Sequence, residues 1–235
     1  MKNPRNGRGQ KRGISLIEGV LYLVLALSVI VGGIVFFQQA QLSNNVTNTS
    51  RTITGISSQV RGIFLSSQNF GPDGTDLTES ILAAGGVPSN FIDNNGTAGD
   101  STDDRISSPF DGDVEVYSED GGAGTIGSQF FVIEIENLGE AECVRLATLS
   151  PTGDGPLGVN MVALGILPGT AGTAGVQDSA ALASDLATPV PAAAETDTMH
   201  TTSLSQVAPG IGITAAEATL VCAEEDNTIF GVYIN

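Results

Sequence analysis

The sequence predicts an α+β chain: one long N-terminal helix packed on an antiparallel sheet of about four strands. Three observations predict it. No proline interrupts the chain from Ile14 to Gly71, and the first half of that stretch is apolar on every side. Its second half keeps a single apolar stripe at helical spacing. After Gly71-Pro72-Asp73-Gly74 the pattern changes to short runs that alternate with period two.

Residues 1–13 form a short basic segment. Lys2, Arg5, Arg8, Lys11 and Arg12 all precede Gly13, with no acid among them. The next segment, ISLIEGVLYLVLALSVIVGGIVFF (Ile14 to Phe37), is long enough to cross a bilayer as a helix. The positive-inside rule keeps residues 1–13 cytoplasmic and sends the remainder across. A secretory signal cut after its apolar core would need small residues there. Gln38, Gln39, Ala40, Gln41 and Leu42 follow instead.

Glu18 lies five residues into the apolar span. Taken alone, an acid near a helix start reaches the interface and favours the helix dipole at little cost. Its neighbours add a second reading. Lys11-Arg12-Gly13-Ile14-Ser15-Leu16-Ile17-Glu18 resembles the type IV prepilin signature: a basic leader, a glycine, an apolar residue, then glutamate ahead of a long apolar helix. The resemblance implies cleavage between Gly13 and Ile14 by a prepilin peptidase, followed by methylation of the new amino group on Ile14. It also implies that Glu18 pairs with the Ile14 amine of a neighbouring copy during assembly. That role is physically reasonable, because an unpaired carboxylate in a water-free fibre core costs several kcal/mol.

Past the membrane-length segment, Leu42, Val46, Thr49, Ile53, Ile56, Val60 and Ile63 recur at alternating steps of four and three. Thr49 is the polar exception. Such a stripe belongs to a helix lying on a partner surface, so Leu42, Val46, Ile53, Ile56, Val60 and Ile63 are the expected packing residues. The helix as a whole is roughly 50–55 residues and on the order of 80 Å long. Gly32-Gly33 weakens it by about 1 kcal/mol per glycine. Subunits of the resembled family often lose helix there on assembly.

Residues 71–235 read as a globular head. A short helix is expected over Asp76–Ala84, then loop to Asp104. Strands are expected at Asp113–Ser118, Gln129–Glu136, Ala218–Ala223 and Thr228–Ile234, with a helix over Leu138–Leu149. The last two strands are separated by Glu224-Glu225-Asp226-Asn227. Residues 165–213, dominated by small and polar residues, are expected to be an exposed insert. Ser108-Pro109-Phe110-Asp111-Gly112 looks like the Asn-Pro-(Phe/Trp)-Gly-Gly element of thin-pilus, type IVb major pilins, with Ser and Asp replacing the Asn and the first Gly. The 13-residue leader is short for that class.

Two cysteines, Cys143 and Cys222, admit two readings: a disulfide or a pair of buried thiols. The topology places both on the oxidising side, which favours the disulfide. A bridge closing a loop of about 80 residues is worth on the order of 4 kcal/mol in the chain-entropy model. The resembled class also places its cysteines in this way.

Composition narrows the function classes. Beyond Gly13 only Arg51, Arg61, Arg105 and Arg145 face all 26 acidic residues, and lysine is absent. Such a surface repels nucleic acid, so none is expected as a partner. The sole histidine, His200, has no nucleophile motif with it and lies in the insert, so no enzyme activity is expected. No metal-ligand spacing or cofactor motif occurs, and the acidic loop Asp93-Asn94-Asn95-Gly96 to Asp104 misses the EF-hand pattern.

The resemblance therefore implies a structural subunit, a major pilin, of a type IV-like pilus for surface attachment, motility or mating. Its implied partners are its own copies in a helical filament, the prepilin peptidase, an assembly platform, a secretin and, before assembly, the inner membrane; the filament itself is extracellular. The expected domains are 1–13 (leader), 14–37 (membrane or filament-core half-helix), 38–70 (amphipathic half-helix) and 71–235 (head). A secretion pseudopilin or minor pilin shares the leader. An uncleaved bitopic stalk or receptor would share the span.

Overall fold

The computed structural model describes residues 16–67, 69–72, 74–94, 104–119, 130–149, 161–168, 200–203, 215–222 and 226–234. Helix α1 (Leu16–Phe64) runs 49 residues and continues unbroken through Gly32-Gly33. Glu18 stands in its first turn and Arg61 in its last, each charge opposing the helix dipole end beside it. The chain divides into two units, Met1–Ser43 and Asn44–Asn235.

In the first unit, every large apolar side chain from Leu16 to Phe37 is exposed. An 18-residue stretch of α1 reaches a mean hydropathy of 2.8, and the helix is long and apolar enough to cross a membrane.

In the second unit, α1 contributes a buried face made by Val46, Thr49, Ile53, Ile56 and Val60, widened by Ser50, Thr52 and Ser57. Hydroxyl groups on this part of the helix bond back to its own backbone. Thr54 donates to the Ser50 carbonyl and Ser57 to that of Thr54.

After α1 come α2 (Thr78–Ala83), a 3-10 turn (Ser89–Phe91), β1 (Ile92–Asp93), β2 (Arg105–Ser107), β3 (Asp113–Glu119), β4 (Phe130–Leu138), α3 (Glu140–Thr148), β5 (Met161–Pro168), β6 (His200–Ser203), α4 (Ala215–Val221) and β7 (Asn227–Ile234). The strands form one antiparallel sheet in the order β1-β2-β3-β4-β7-β5-β6.

Alternation along the strands gives the sheet two faces. One carries Val114 and Val116 of β3, Phe131, Ile133 and Ile135 of β4, and Ile229 and Tyr233 of β7, all buried. Ile53 of α1 and Leu146 of α3 line a small cavity with Ile133, Ile135, Leu164 and Ile229, which places the core between this face and the helices. A row of rings runs through the same layer. Phe64 meets Phe70 edge-on at 5.4 Å, Phe70 meets Phe131 at 5.0 Å, and Phe131 stacks on Tyr233 at 5.1 Å.

The other face carries Glu115, Tyr117 and Glu119 on β3, Val132 and Glu134 on β4, and Phe230 and Val232 on β7. Phe230 pairs with Gly165 of β5, where a Cβ would stand 1.8 Å from its ring, so only glycine leaves that ring room.

Several expectations need correcting. The sheet has seven strands among the described residues, where about four were expected. The expected strand Ala218–Ala223 is helix α4, which turns Ala218, Val221 and Cys222 inward and Thr219 and Leu220 outward. That spacing of three and four is helical, and a short apolar run does not distinguish it from a strand. Leu138 ends β4 instead of opening a helix, because Asn137 at φ 58° turns the chain there.

Part of the expected exposed insert, Gly165–Pro168 and His200–Ser203, belongs to the sheet, and Ile166 is fully buried. Most of residues 165–213 otherwise lie outside the described residues. At the end of the helical stripe Ile63 is 36% exposed. Phe64, one turn beyond Val60, continues the packed face in its place through its contact with Phe70.

Candidate assembly site

Of the residues singled out for processing and assembly, Gly13 and Ile14 lie outside the described residues. Glu18 is on α1, two residues after its first described position, Leu16, in the exposed apolar half. A carboxylate at a helix start is favoured by the N–H groups exposed there. Leu16, Ile17, Val20, Leu21 and Tyr22 flank it, all exposed. Chemically, this is a long apolar cylinder surface with one acidic group near its end.

In the second unit, Val46, Ile53, Ile56 and Val60 point into the head, and Leu42 belongs to the first unit. Arg61 lies at the end of the same face, its guanidinium 6.0 Å from the centre of the Phe131 ring. Burial lowers the Arg61 pKa, and burial likewise raises that of the enclosed Tyr233.

The β2–β3 turn fastens the head to α1. Ser108 accepts hydrogen bonds on Oγ from the backbone N–H groups of Phe110 and Gly112, both at 3.3 Å, and its own N–H donates to the Gly112 carbonyl at 2.7 Å. Asp111 takes φ 60°, and Asn137 donates to its carbonyl at 3.2 Å. Asn45 of α1 donates to the Pro109 carbonyl at 3.5 Å. Gly112 sits so close to β4 that a Cβ would stand 1.9 Å from the Glu136 carbonyl oxygen.

A serine hydroxyl thus does here what an asparagine side chain can do at the start of such a turn. Ser108→Ala leaves those two N–H groups without their acceptor, and the expected loss is about 2 kcal/mol of stability. Ser108→Asn should retain most of it, and chemical denaturation of the two variants checks this.

Cys143 of α3 and Cys222, directly after α4, form a disulfide with a Cα separation of 5.8 Å, both fully buried. Among the described residues no group of histidines, cysteines and carboxylates is placed to hold a metal ion. Asp93, Asn94 and Asp104 of the acidic loop are described, and the remainder of that loop lies outside the described residues.

The sequence reading passed over Glu134 and Tyr117, two polar side chains buried between β3 and β4. The signal was present in Gln129–Glu136, where alternation puts Glu134 on one face with Phe130 and Val132.

A long helix with one exposed apolar half and one half laid on an antiparallel sheet, closed by a disulfide, defines an α+β helix-on-sheet class. A family model described as PilS N terminal matches residues 43–232. Two curated relatives are each named as a major structural subunit of bundle-forming pilus, one from Escherichia coli O127:H6 (strain E2348/69 / EPEC) and one from Escherichia coli O111:H-. Each is 29% identical over 140 residues, covering 60% of this chain. The match spans 65% of the length of these relatives.

Two solved structures are similar. One is a type IV b pilin from Salmonella typhi, at 12% identity and TM-score 0.47, covering 79% of this chain and 97% of that one. The other is TcpA, a type IV pilin from Vibrio cholerae El Tor, at 15% and 0.48, covering 80% and 98%. The chain belongs to the PilS N-terminal family. The resemblance to type IV pilins read at residues 11–18 agrees with that membership.

Proposed function

We propose that this chain is the structural subunit, the major pilin, of a type IV-like pilus, cut between Gly13 and Ile14 and polymerised through the apolar half of α1. The observation that carries this reading is the uninterrupted exposed apolar surface from Leu16 to Phe37 on a helix whose other half is already occupied by its own sheet. In a membrane that surface is covered by lipid. Outside one, only further copies of the same surface cover it without cost.

Residues 1–13 act as a leader that holds the precursor in the inner membrane until a prepilin peptidase removes it. Methylated Ile14 then presents its amine to Glu18 of a neighbouring copy, while residues 14–37 form the fibre core and 71–235 its outer head. An assembly platform and a secretin move the growing fibre outward. The acidic, lysine-free composition keeps the finished surface well solvated. The subunit's work is mechanical attachment, motility or mating contact, with no catalytic step and no cofactor.

Mass spectrometry of fibres sheared from cells tests the proposal. The expected result is this chain as the dominant component, beginning at a methylated Ile14. Absence from the fibres points instead to a pseudopilin or minor pilin, and a chain retaining residues 1–13 to a bitopic stalk; either overturns the reading.

A further inference from the structure

Glu134 lies in the middle of β4 and is only 4% exposed, although it carries a carboxyl group. Its Oε2 accepts a hydrogen bond from the Tyr117 hydroxyl of β3 at 3.3 Å. Directly across the β3–β4 ladder its partner is Glu115, a like-charged rung where sheets favour opposite charges. Across the β4–β7 ladder its partner is Phe230, which offers no charge.

The other groups acting on this rung are also mostly acidic. Glu136 lies two residues along the same strand, and Glu119 follows Tyr117 on the same face of β3. Asp113 and Asp76 lie beside Glu115. Arg105 of β2 is the cation among these described groups, and it is bound to Asp113 at 3.3 Å on the exposed side. A buried carboxylate facing this set has a phenol to bond and no cation within reach to neutralise it.

We propose that the Glu134–Glu115 rung is a proton-controlled latch between β3 and β4: with Glu134 protonated the β1–β3 side is held on the sheet, and on ionisation of Glu134 the two like charges loosen the β3–β4 ladder, an effect the Tyr117 hydrogen bond to Glu134 opposes. Burial, with repulsion from Glu136 and Glu115, pushes the Glu134 pKa up to about 7 against a Tyr117 hydrogen bond that lowers it. The folded head therefore binds a proton that the unfolded chain releases near pH 4.5. The stabilisation is complete below that value and is lost as the pH rises through about 7. The consequence is local because β4 and β7 meet through apolar partners at this level, whereas β3 meets β4 through the charged rung.

Amide hydrogen exchange on the full chain in detergent micelles, corrected for intrinsic exchange rates, tests this at pH 5 and pH 8. Protection of Val114–Ser118 should fall on the order of 50-fold between the two, the ratio set by one group moved from 4.5 to about 7. Protection at Phe230–Val232 should fall less. Glu134→Gln, which cannot ionise, should remove most of the fall in β3 protection, and Tyr117→Phe should move the loosening to higher pH.

Wild-type infrared spectra keep the test decisive if a variant fails to fold. A protonated-carboxyl band should be present at pH 6 and absent by pH 9. Unchanged β3 protection in the wild type, an undiminished pH response in Glu134→Gln, or no protonated carboxyl at pH 6 would each overturn the latch.

Discussion

Glu18→Ala and Glu18→Gln are expected to leave insertion and leader cleavage intact while fibre yield collapses. The apolar span from Leu16 to Phe37 is unchanged by either substitution, so the chain still has its membrane-length helix. What changes is the proposed pairing of Glu18 with the Ile14 amine of the next copy. In a fibre core built from exposed apolar helix surfaces, removing the carboxylate leaves an ammonium buried without its counter-ion. Breaking a buried pair in that way costs about 3–5 kcal/mol. At each subunit contact this weakens association by a factor on the order of 10²–10⁴. Quantifying sheared fibres against the cleaved subunit pool in membranes checks both halves of the expectation. A normal fibre yield from Glu18→Gln would remove the ion-pair role.

The second large effect is on the head. Cys143→Ser is expected to lower its stability by about 4 kcal/mol, because the bridge to Cys222 closes a loop with a sequence separation of 79. The bonded cysteines link α3 to the end of α4, and both sulfurs are fully enclosed. A serine hydroxyl at that position adds a polar group with no water beside it, so the loss is not confined to chain entropy. α1 should remain helical in the membrane, since it shares no covalent link with the bridge. Thermal denaturation with and without reductant measures the effect. Wild type in reductant should resemble the variant in air, and equal melting temperatures under all four conditions would show that the bridge contributes nothing.

Much of the architecture was legible because two periodicities are strong in this chain. The apolar segment and the four-three stripe specify α1, and Val46, Ile53, Ile56 and Val60 are buried where the stripe puts them. The alternation in Asp113–Ser118, Gln129–Glu136 and Thr228–Ile234 corresponds to β3, β4 and β7 within a residue or two. The errors arose where neighbours outside the segment decide the outcome. Residues Ala218–Val221 are short and apolar enough for either strand or helix. Tertiary context resolves them as helix, with Thr219 bonding back to the Ala215 carbonyl. Met161–Pro168 gains strand structure by lying beside β7, and His200–Ser203 by lying beside β5; neither segment advertises this alone.

The candidate site divides in the same way. Glu18 and the two cysteines stand out by residue type and position, and the cysteines are joined as expected. Glu134 and Tyr117 matter because of what lies across the ladder, and cross-strand register is not written in either strand by itself.

The place of β7 also bears on the order of events during synthesis. It is the last described strand in the chain, yet it lies between β4 and β5 and bonds along both. A polypeptide emerging with α1 first therefore has its anchor long before its sheet can close. Until residues 227–234 arrive, β1–β4 and β5–β6 are two unjoined ribbons with open edges, and Cys222 precedes β7 by only a few residues. A chain interrupted before that point keeps α1 and lacks the strand that joins the two ribbons. Completion of the sheet thus reports that the chain has been made through residue 234.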